Sequence, residues 1–399
     1  MVKTLAKVAV PRAVLSASTP ALERRAADLI RHVEHALDWT GFYEVLPLLK
    51  HPRTPRVREI SESVRAIWRA FNVERVLVVS VRKGSSPGSV FALAEVVDTQ
   101  GLGLRRLGRE EVLIPPGGDR LAVAQWINAL VGDDTGLPSA LGSRILVSVE
   151  VARGRKEIAL IEADGAALSF VTRNGSINVT PAWGPSGAVG YMSYLRGNPD
   201  WVVNGIPFST RSGLNAAGAW SPDGALLALS VAEDANSDLV LLDAKSGEER
   251  RRLTRHSGVD TSPTWSPKGT KLAFVSDREG TPQVWIMDLQ SGDMRALSRG
   301  GYAASPVWSP LGESIVYVQM YAGKGVLFRH DLDTGQVSRL TDMDQDADSP
   351  TISSDGRHVV FVRRAQGGKA ALWRVPVFGG ASRPLAQQAW PLYAPDWQH

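Results

Sequence analysis

A chain of 399 residues with 45 basic and 41 acidic side chains carries a formal net charge of only +4. That charge is spread along the chain, with no basic stripe interleaved with aromatics, which argues against a nucleic-acid surface. The chain has no cysteine, which excludes disulfides and thiolate metal sites, and no apolar run approaches the roughly 18 residues of a membrane span.

Residues 1–10 contain Lys3 and Lys7 and only short apolar runs before Pro11. They make a poor signal peptide. A secreted form therefore requires a leader encoded ahead of Met1 or Val2, and a native start at Met1 implies the cytosol. Leu22, Ala26, Leu29, Ile30, Val33 and Leu37 fall on one face at 3.6-residue spacing and predict a helix over 20–38. Phe42 to Leu46 follows as a short strand, and Val64, Ile67, Trp68 and Phe71 mark a second helix. The β-branched run Val76 to Val81 reads as a buried strand. A Gly/Ser/Pro turn at 84–88 separates it from a strand over Phe91 to Asp98. Glu111 to Ile114 is a third strand of that group, and Leu121 to Val131 a last helix. The reading is an α/β domain over 1–135 and a linker over 136–143.

From residue 144 the helical period disappears and an internal repeat begins. Its mark is a Trp strand followed by Ser-Pro-x-Gly, as in Trp220-Ser221-Pro222-Asp223-Gly224, Trp265 to Gly269 and Trp308 to Gly312. Trp183 opens a looser copy, Ile352 replaces Trp in a fifth, and Trp397 stands in a sixth that the C-terminus cuts short. The spacing is that of a four-stranded propeller blade. A turn of the form Asp-x-x-Ser/Thr-Gly recurs at Asp243 to Gly247, Asp288 to Gly292 and Asp331 to Gly335. Arg-bearing strands follow it, as expected of protected sheet edges. Three strands over 145–172 lack a Trp strand before them, and Tyr393 to Gln398 is a Trp strand without followers. Joined, they complete a six-bladed β-propeller over 144–399 that closes on its C-terminal strand. Trp183, Trp220, Trp265, Trp308 and Trp397 are then blade packing, because each holds the same repeat position and a buried aromatic covers about 150–250 Å².

Other constellations read as inert. Asp342, Asp344, Asp346 and Asp348 alternate like the start of a calcium loop but lack its Gly and its closing Glu. His32, Glu34 and His35 lack the spacing of a zinc-protease helix. No nucleophile elbow, phosphate loop or dinucleotide fingerprint appears, and no hydrolase domain is expected after the propeller. The expectation is no catalytic residue, no metal and no cofactor. A metal-dependent propeller lyase acting on acidic oligosaccharides is the alternative, and it is weak because His256 is the lone His near a mouth loop.

The Trp-Ser-Pro-Asp-Gly repeat, the stretch Leu272 to Gly280 and the helix–strand pair around Asp28-Leu29 and Gly41 to Leu46 resemble the TolB family. The resemblance is strongest over 180–365. It implies a periplasmic, non-catalytic scaffold of the Tol–Pal envelope system, monomeric and peripheral to the outer membrane through the lipoprotein Pal. It further implies that Pal binds at the propeller mouth and TolA at the N-terminal region, although residues 1–10 depart from the family's TolA-binding extension. Loops running into the innermost strands are free to vary without breaking the blades. The candidate partner residues on them are Arg211, Asn215, Ala217, His256, Asp260, Thr261, Tyr302, Asp346 and Asp348.

Overall fold

The computed structural model describes the chain except residues 1–4, 18, 48–49, 52–60, 101–110, 118, 137–138, 234–235, 366–368, 386–388 and 399. It divides into two compact units, Met1–Gly142 and Ser143–His399. Part of the linker expected at 136–143, residues 137–138, lies outside the described residues.

In the first unit, strands β1 (Ala6–Ala9), β2 (Val14–Leu15), β3 (Tyr43–Leu46), β4 (Arg75–Lys83), β5 (Val90–Asp98) and β6 (Val112–Ile114) form one sheet in the order β3-β1-β4-β5-β6, with β2 also on β4. Helix α1 (Pro20–Thr40) starts where the Thr19 hydroxyl accepts the amide of Leu22, at 3.3 Å, and stops at Gly41, whose φ of 67° suits glycine. Its predicted apolar face is buried, from Leu22 to Leu37. Helix α2 (Glu62–Ala70) buries Trp68 with Val76 and Val78 of β4, and α3 (Asp119–Thr135) completes the unit. Strands β1 and β2 are not anticipated by the sequence pattern. Four residues with two alanines and a lysine give almost no period, yet Val8 and Ala9 are buried at the centre of the sheet.

The second unit is six four-stranded antiparallel sheets. Blade 1 is the composite one. Its innermost strand, Leu392–Trp397, pairs with Arg144–Ala152, with Leu392 opposite Val149 and Trp397 opposite Ile145. Blades 2 to 6 have innermost strands Asn178–Trp183, Leu214–Trp220, Asp260–Trp265, Ala303–Trp308 and Asp346–Ile352. The chain enters each innermost strand at one end of the ring, the lead-in face, and in blades 3 to 5 leaves through the Ser-Pro-x-Gly turn at the other, with Gly184 to Gly187 and Ser353 to Gly356 in its place in blades 2 and 6.

Local chemistry sets these turns. At 221–226 the amide of Gly224 bonds to the carbonyl of Ser221, and the Ser221 hydroxyl donates to Asp223, at 2.5 Å. At 243–247 the Asp243 carboxylate accepts the amides of Lys245 and Ser246, which together with Arg250 holds it far below the usual carboxylate range. Between blades 2 and 3, Trp201 and Trp220 meet with ring centroids 6.1 Å apart. A Cβ on Gly218 would stand 2.5 Å from Trp201, and one on Gly190 2.3 Å from Trp220. This explains why the third blade has Gly-Ala-Trp where most others have Pro-x-Trp: Trp201 occupies the space.

Candidate functional site

Each innermost strand carries one register shift, and at each stands a non-glycine residue in the left-handed region: Thr180, Ala217, Ser262, Ser305, Ser349 and Ala394, with φ between 44° and 54°. A bulge of this kind bends a strand and is uncommon for non-glycine residues. The repetition in all six blades makes it a property of the ring rather than a local irregularity. All six residues line a central cavity of about 1010 Å³, with the prolines that follow five of them and the Trp and turn residues below. Nothing in the hydrophobic pattern signals these bulges; the one visible trace is the small-residue-then-proline pair in five of the six strands.

One carboxyl stands in the wall of this cavity away from the turns. Asp396 accepts the backbone amide of Trp183 across the seam between blades 1 and 2, Oδ2 to N 2.7 Å. Burial pushes it up to about 7, against the opposing pull of that amide. Thr264 and Thr351 hold the same repeat position. Thr264 accepts the amide of Trp308, at 3.4 Å, and Thr351 that of Trp397, at 3.0 Å.

The lead-in loops are anchored by a second recurrent device. A Ser or Thr at the end of the outermost strand accepts an amide of the third strand. Thr172 takes Ile158, Thr254 takes Leu239, Ser298 takes Val284 and Thr341 takes Leu327, at 2.8–3.0 Å. The loop leaving for the next blade therefore departs from a fixed point, as a recognition loop on a rigid scaffold should.

The nine candidate residues fall on this face but differ in what they present. Tyr302 is 46% exposed and His256 is exposed, with His256 Nδ1 accepting the amide of Gly258. Arg211 pairs with Glu249 at 3.3 Å. Asp348 receives Arg364 Nη2 at 2.6 Å, and the same guanidinium lies 3.9 Å from Asp346, whose Oδ1 accepts the amide of Gly325. Thr261 is half-buried, and Ala217 is a cavity-lining bulge residue. Asn215 and Asp260 are fully buried. Asn215 donates to the carbonyls of Pro199, Arg211 and Gly213, and Asp260 accepts from Arg278 with both oxygens at 3.1 Å. These two side chains shape the loops from behind and do not reach the surface. Sequence reasoning missed Arg278 and Arg364, the cations that order the loops of blades 4 and 6. An acid and an Arg sixteen or eighteen residues apart signal a pair only once the strand register is known.

In the acidic loop over 342–348, Asp346 and Asp348 are engaged by Arg364 and the Gly325 amide, while Asp342 and Asp344 are exposed. Among the described residues, no group of three or more His, Asp or Glu side chains is disposed to hold a metal ion. Nor is any described helix long and apolar enough to cross a membrane.

The family described as the TolB beta propeller domain matches residues 134–399, about two thirds of the chain. The chain belongs to the TolB propeller family. A Tol-Pal system protein TolB from Desulfosudis oleivorans is 35% identical over 147 residues, 35% of this chain and 33% of that protein. A protein TolB homolog from Chlorobium chlorochromatii is 31% identical over 253 residues, 60% of this chain and 54% of that one. The matches to such relatives thus span from about a third to about half of their length. The fold matches the crystal structure of TolB from Acinetobacter baumannii with a TM-score of 0.82, over 99% of this chain and 96% of that one at 23% identity. The expected α/β domain followed by a six-bladed, strand-closed propeller is the fold observed.

Proposed function

We propose that this chain is a non-catalytic scaffold of the Tol–Pal system, acting in the periplasm and holding the lipoprotein Pal at the lead-in face of blades 3 to 6. Tyr302 is the apolar anchor of that site, and His256, Thr261, Asp346 and Asp348 surround it as polar contacts. Asn215 and Asp260 hold the loops in shape beneath them. TolA docks at the N-terminal region. Membership of the TolB propeller family carries the reading. An aromatic nearly half exposed on a loop held by the buried amides of Gln283 and Gln319 supports it, because rigid loops lose little entropy on binding. The lyase alternative gains nothing from His256, whose ring nitrogen is engaged with its own loop.

The test is a calorimetric titration of the full chain with the soluble domain of Pal. Saturable one-to-one binding is expected. No heat and no co-elution at concentrations well above a micromolar Kd would remove the Pal assignment, whatever the fold.

A further inference from the structure

The lead-in face of blades 1 and 2 differs in chemistry from the candidate Pal site. Arg153 and Arg155 flank Gly154 at the tip of one hairpin, and both are exposed. Arg173 lies in the adjoining connection, its guanidinium 5.0 Å from the centre of the Phe170 ring. None of the three makes an ion pair among the described residues, a property shared by the exposed Arg255 and Arg299 on the loops of blades 4 and 5, whereas Arg211, Arg278 and Arg364 each have a carboxylate. Trp390, 39% exposed, meets the edge of the same Phe170 ring at 5.6 Å. The neighbouring hairpin of blade 2 presents Tyr194 and Leu195, and Leu195 is 59% exposed. The patch is continuous: the amide of Tyr194 bonds to the carbonyl of Ile177, and Ile177 bridges to Lys156 beside the Arg155 tip.

The carboxylates close by are already engaged. Glu157 is buried and accepts from Thr172, Gly175 and Asn178. The buried Asp200 faces Arg196, and Glu150 takes the Tyr393 hydroxyl. Arg153, Arg155, Lys156 and Arg173 outnumber Glu150 and the buried Glu157, so the outward charge of this end is positive, and it is interleaved with an indole, a phenol and an aliphatic side chain.

We propose that this end of blades 1 and 2 docks on an anionic bilayer surface. Leu195 and Trp390 enter the headgroup region, and the guanidiniums of Arg153, Arg155 and Arg173 face lipid phosphates. The argument for a bilayer is the arrangement. Single exposed apolar side chains and unpaired guanidiniums on hairpin tips and loops suit a fluid surface that adapts to them. A folded acidic partner would need carboxylates fixed opposite each arginine. Indole and phenol rings belong at the headgroup level, where one edge is apolar and the other wet. The inference does not depend on Pal, because the surface is separate from the residues assigned to that lipoprotein.

The experiment is co-sedimentation of the full chain with vesicles of phosphatidylglycerol and phosphatidylethanolamine, against vesicles of phosphatidylcholine alone, with no lipoprotein present. Binding to the anionic vesicles is expected. It should weaken strongly as salt rises from about 0.1 M to about 1 M, where the screening length shrinks from about 10 Å to about 3 Å. The triple variant Arg153→Gln, Arg155→Gln, Arg173→Gln should lose at least about tenfold in partition, as expected when three cations leave an anionic surface. Leu195→Ser should lose less, and Tyr302→Ala should sediment like the parent. Equal sedimentation with both vesicle types, or an unchanged triple variant, overturns the proposal. So does a chain that ignores vesicles yet binds poly-glutamate through the same three arginines, because the surface would then recognise acidic protein.

Discussion

Blades 2 to 6 are each one continuous segment of chain, while blade 1 is assembled from the two ends of the propeller, and the entropy of holding neighbours together differs accordingly. Between continuous blades, side-chain bonds to the innermost strands or the loops entering them recur: Asn215 donates to the carbonyl of Pro199, Ser237 to that of Asp260 and Gln283 to that of Gly301, and Asp346 accepts the amide of Gly325. Thr264 reaches Trp308, and Trp265 Nε1 donates to the carbonyl of Ala219. The closing strand is held from both sides. Its Trp397 amide bonds to Thr351 of blade 6, its Trp397 indole to Ser143 at 2.7 Å, and its Asp396 to Trp183 of blade 2. Trp397 is also fully buried, where Trp183 and Trp220 are only partly so. A loop of a few residues keeps continuous neighbours close at no further cost. A strand separated by the whole ring must recover its closure entropy through contacts, and the buried Trp397 with bonds to both neighbouring blades supplies them.

Removing residues 391–399 is the most severe test of that contrast. The loss of a core tryptophan alone costs about 3–5 kcal/mol, and the ladder along Arg144–Ala152 goes with it. Against a typical net stability of about 5–15 kcal/mol, the propeller should melt far below the parent or aggregate. A melting temperature within a few degrees of the parent, the effect of about 1 kcal/mol, would make the tail dispensable and the seam analysis wrong.

A continuous blade offers the next largest effect. Asp260→Ala leaves Arg278, itself mostly buried, without its carboxylate. Breaking such a pair costs about 3–5 kcal/mol, while replacing both partners by apolar side chains is far milder. Urea melts of Asp260→Ala and of Asp260→Leu with Arg278→Met should therefore differ by more than about 1 kcal/mol in favour of the double variant. If Asp260→Ala keeps full stability but loses Pal, Asp260 contacts the partner directly and the static view of its burial is mistaken.

How much of this could be read from the sequence follows the same division. The repeat announces itself through Trp and Ser-Pro-x-Gly, because packing and tight turns constrain residue type at fixed spacing. Counting unpaired strands at both ends was enough to infer the closure. The bulges at Thr180, Ala217 and their counterparts were not legible, because a left-handed φ on Ser, Thr or Ala is imposed by the ring and leaves no preferred residue. Nor was the burial of Asn215 and Asp260. A polar residue beside a loop looks like a contact residue until its partners, contributed by other strands, are known. In the first unit, β1 escaped because its burial comes from position in the sheet and not from its own hydrophobicity.

The seam also carries a pH signature. Asp396, raised to about 7, binds a proton in the folded state that the unfolded chain releases near the ordinary carboxyl value of about 4. Its contribution therefore declines as pH rises from about 4 to about 7. His358 in blade 6, lowered to about 3 by burial and by Arg374 and Arg357, acts in the opposite sense. Its contribution is complete above about 6.5 and is lost as pH falls towards about 3. The two oppose one another between about pH 4 and 6.5. Asp396→Asn keeps an acceptor for the Trp183 amide but cannot ionise. It should gain about 1–3 kcal/mol at pH 8 and leave a stability that rises with pH across that window. Chemical melts at three pH values suffice, and a variant no more stable than the parent at pH 8 would show that the cavity solvates the carboxylate fully.

The smallest expected effect lies on the lead-in face of the continuous blades, where function rather than closure is at stake. Tyr302 follows two glycines, Gly300 and Gly301, and its backbone carbonyl is fixed by the amide of Met320. The Gln319 side chain donates to the carbonyl of Gly300, and Gln283 to that of Gly301, at 2.5 Å for the latter. The loop conformation thus rests on its backbone and on two buried amides, not on the phenol, and Tyr302→Ala should leave the melting temperature unchanged within about a degree or two. As an anchor in an interface it should cost about 1–2 kcal/mol of Pal affinity, a weakening of about fivefold to thirtyfold. The loss should appear mainly in the dissociation rate, because the substitution removes contact area and no charge. Calorimetry and surface-binding kinetics read both quantities. Parent affinity in this variant would take Tyr302 out of the site, and the search for the anchor would move to His256 and Thr261 on blade 4.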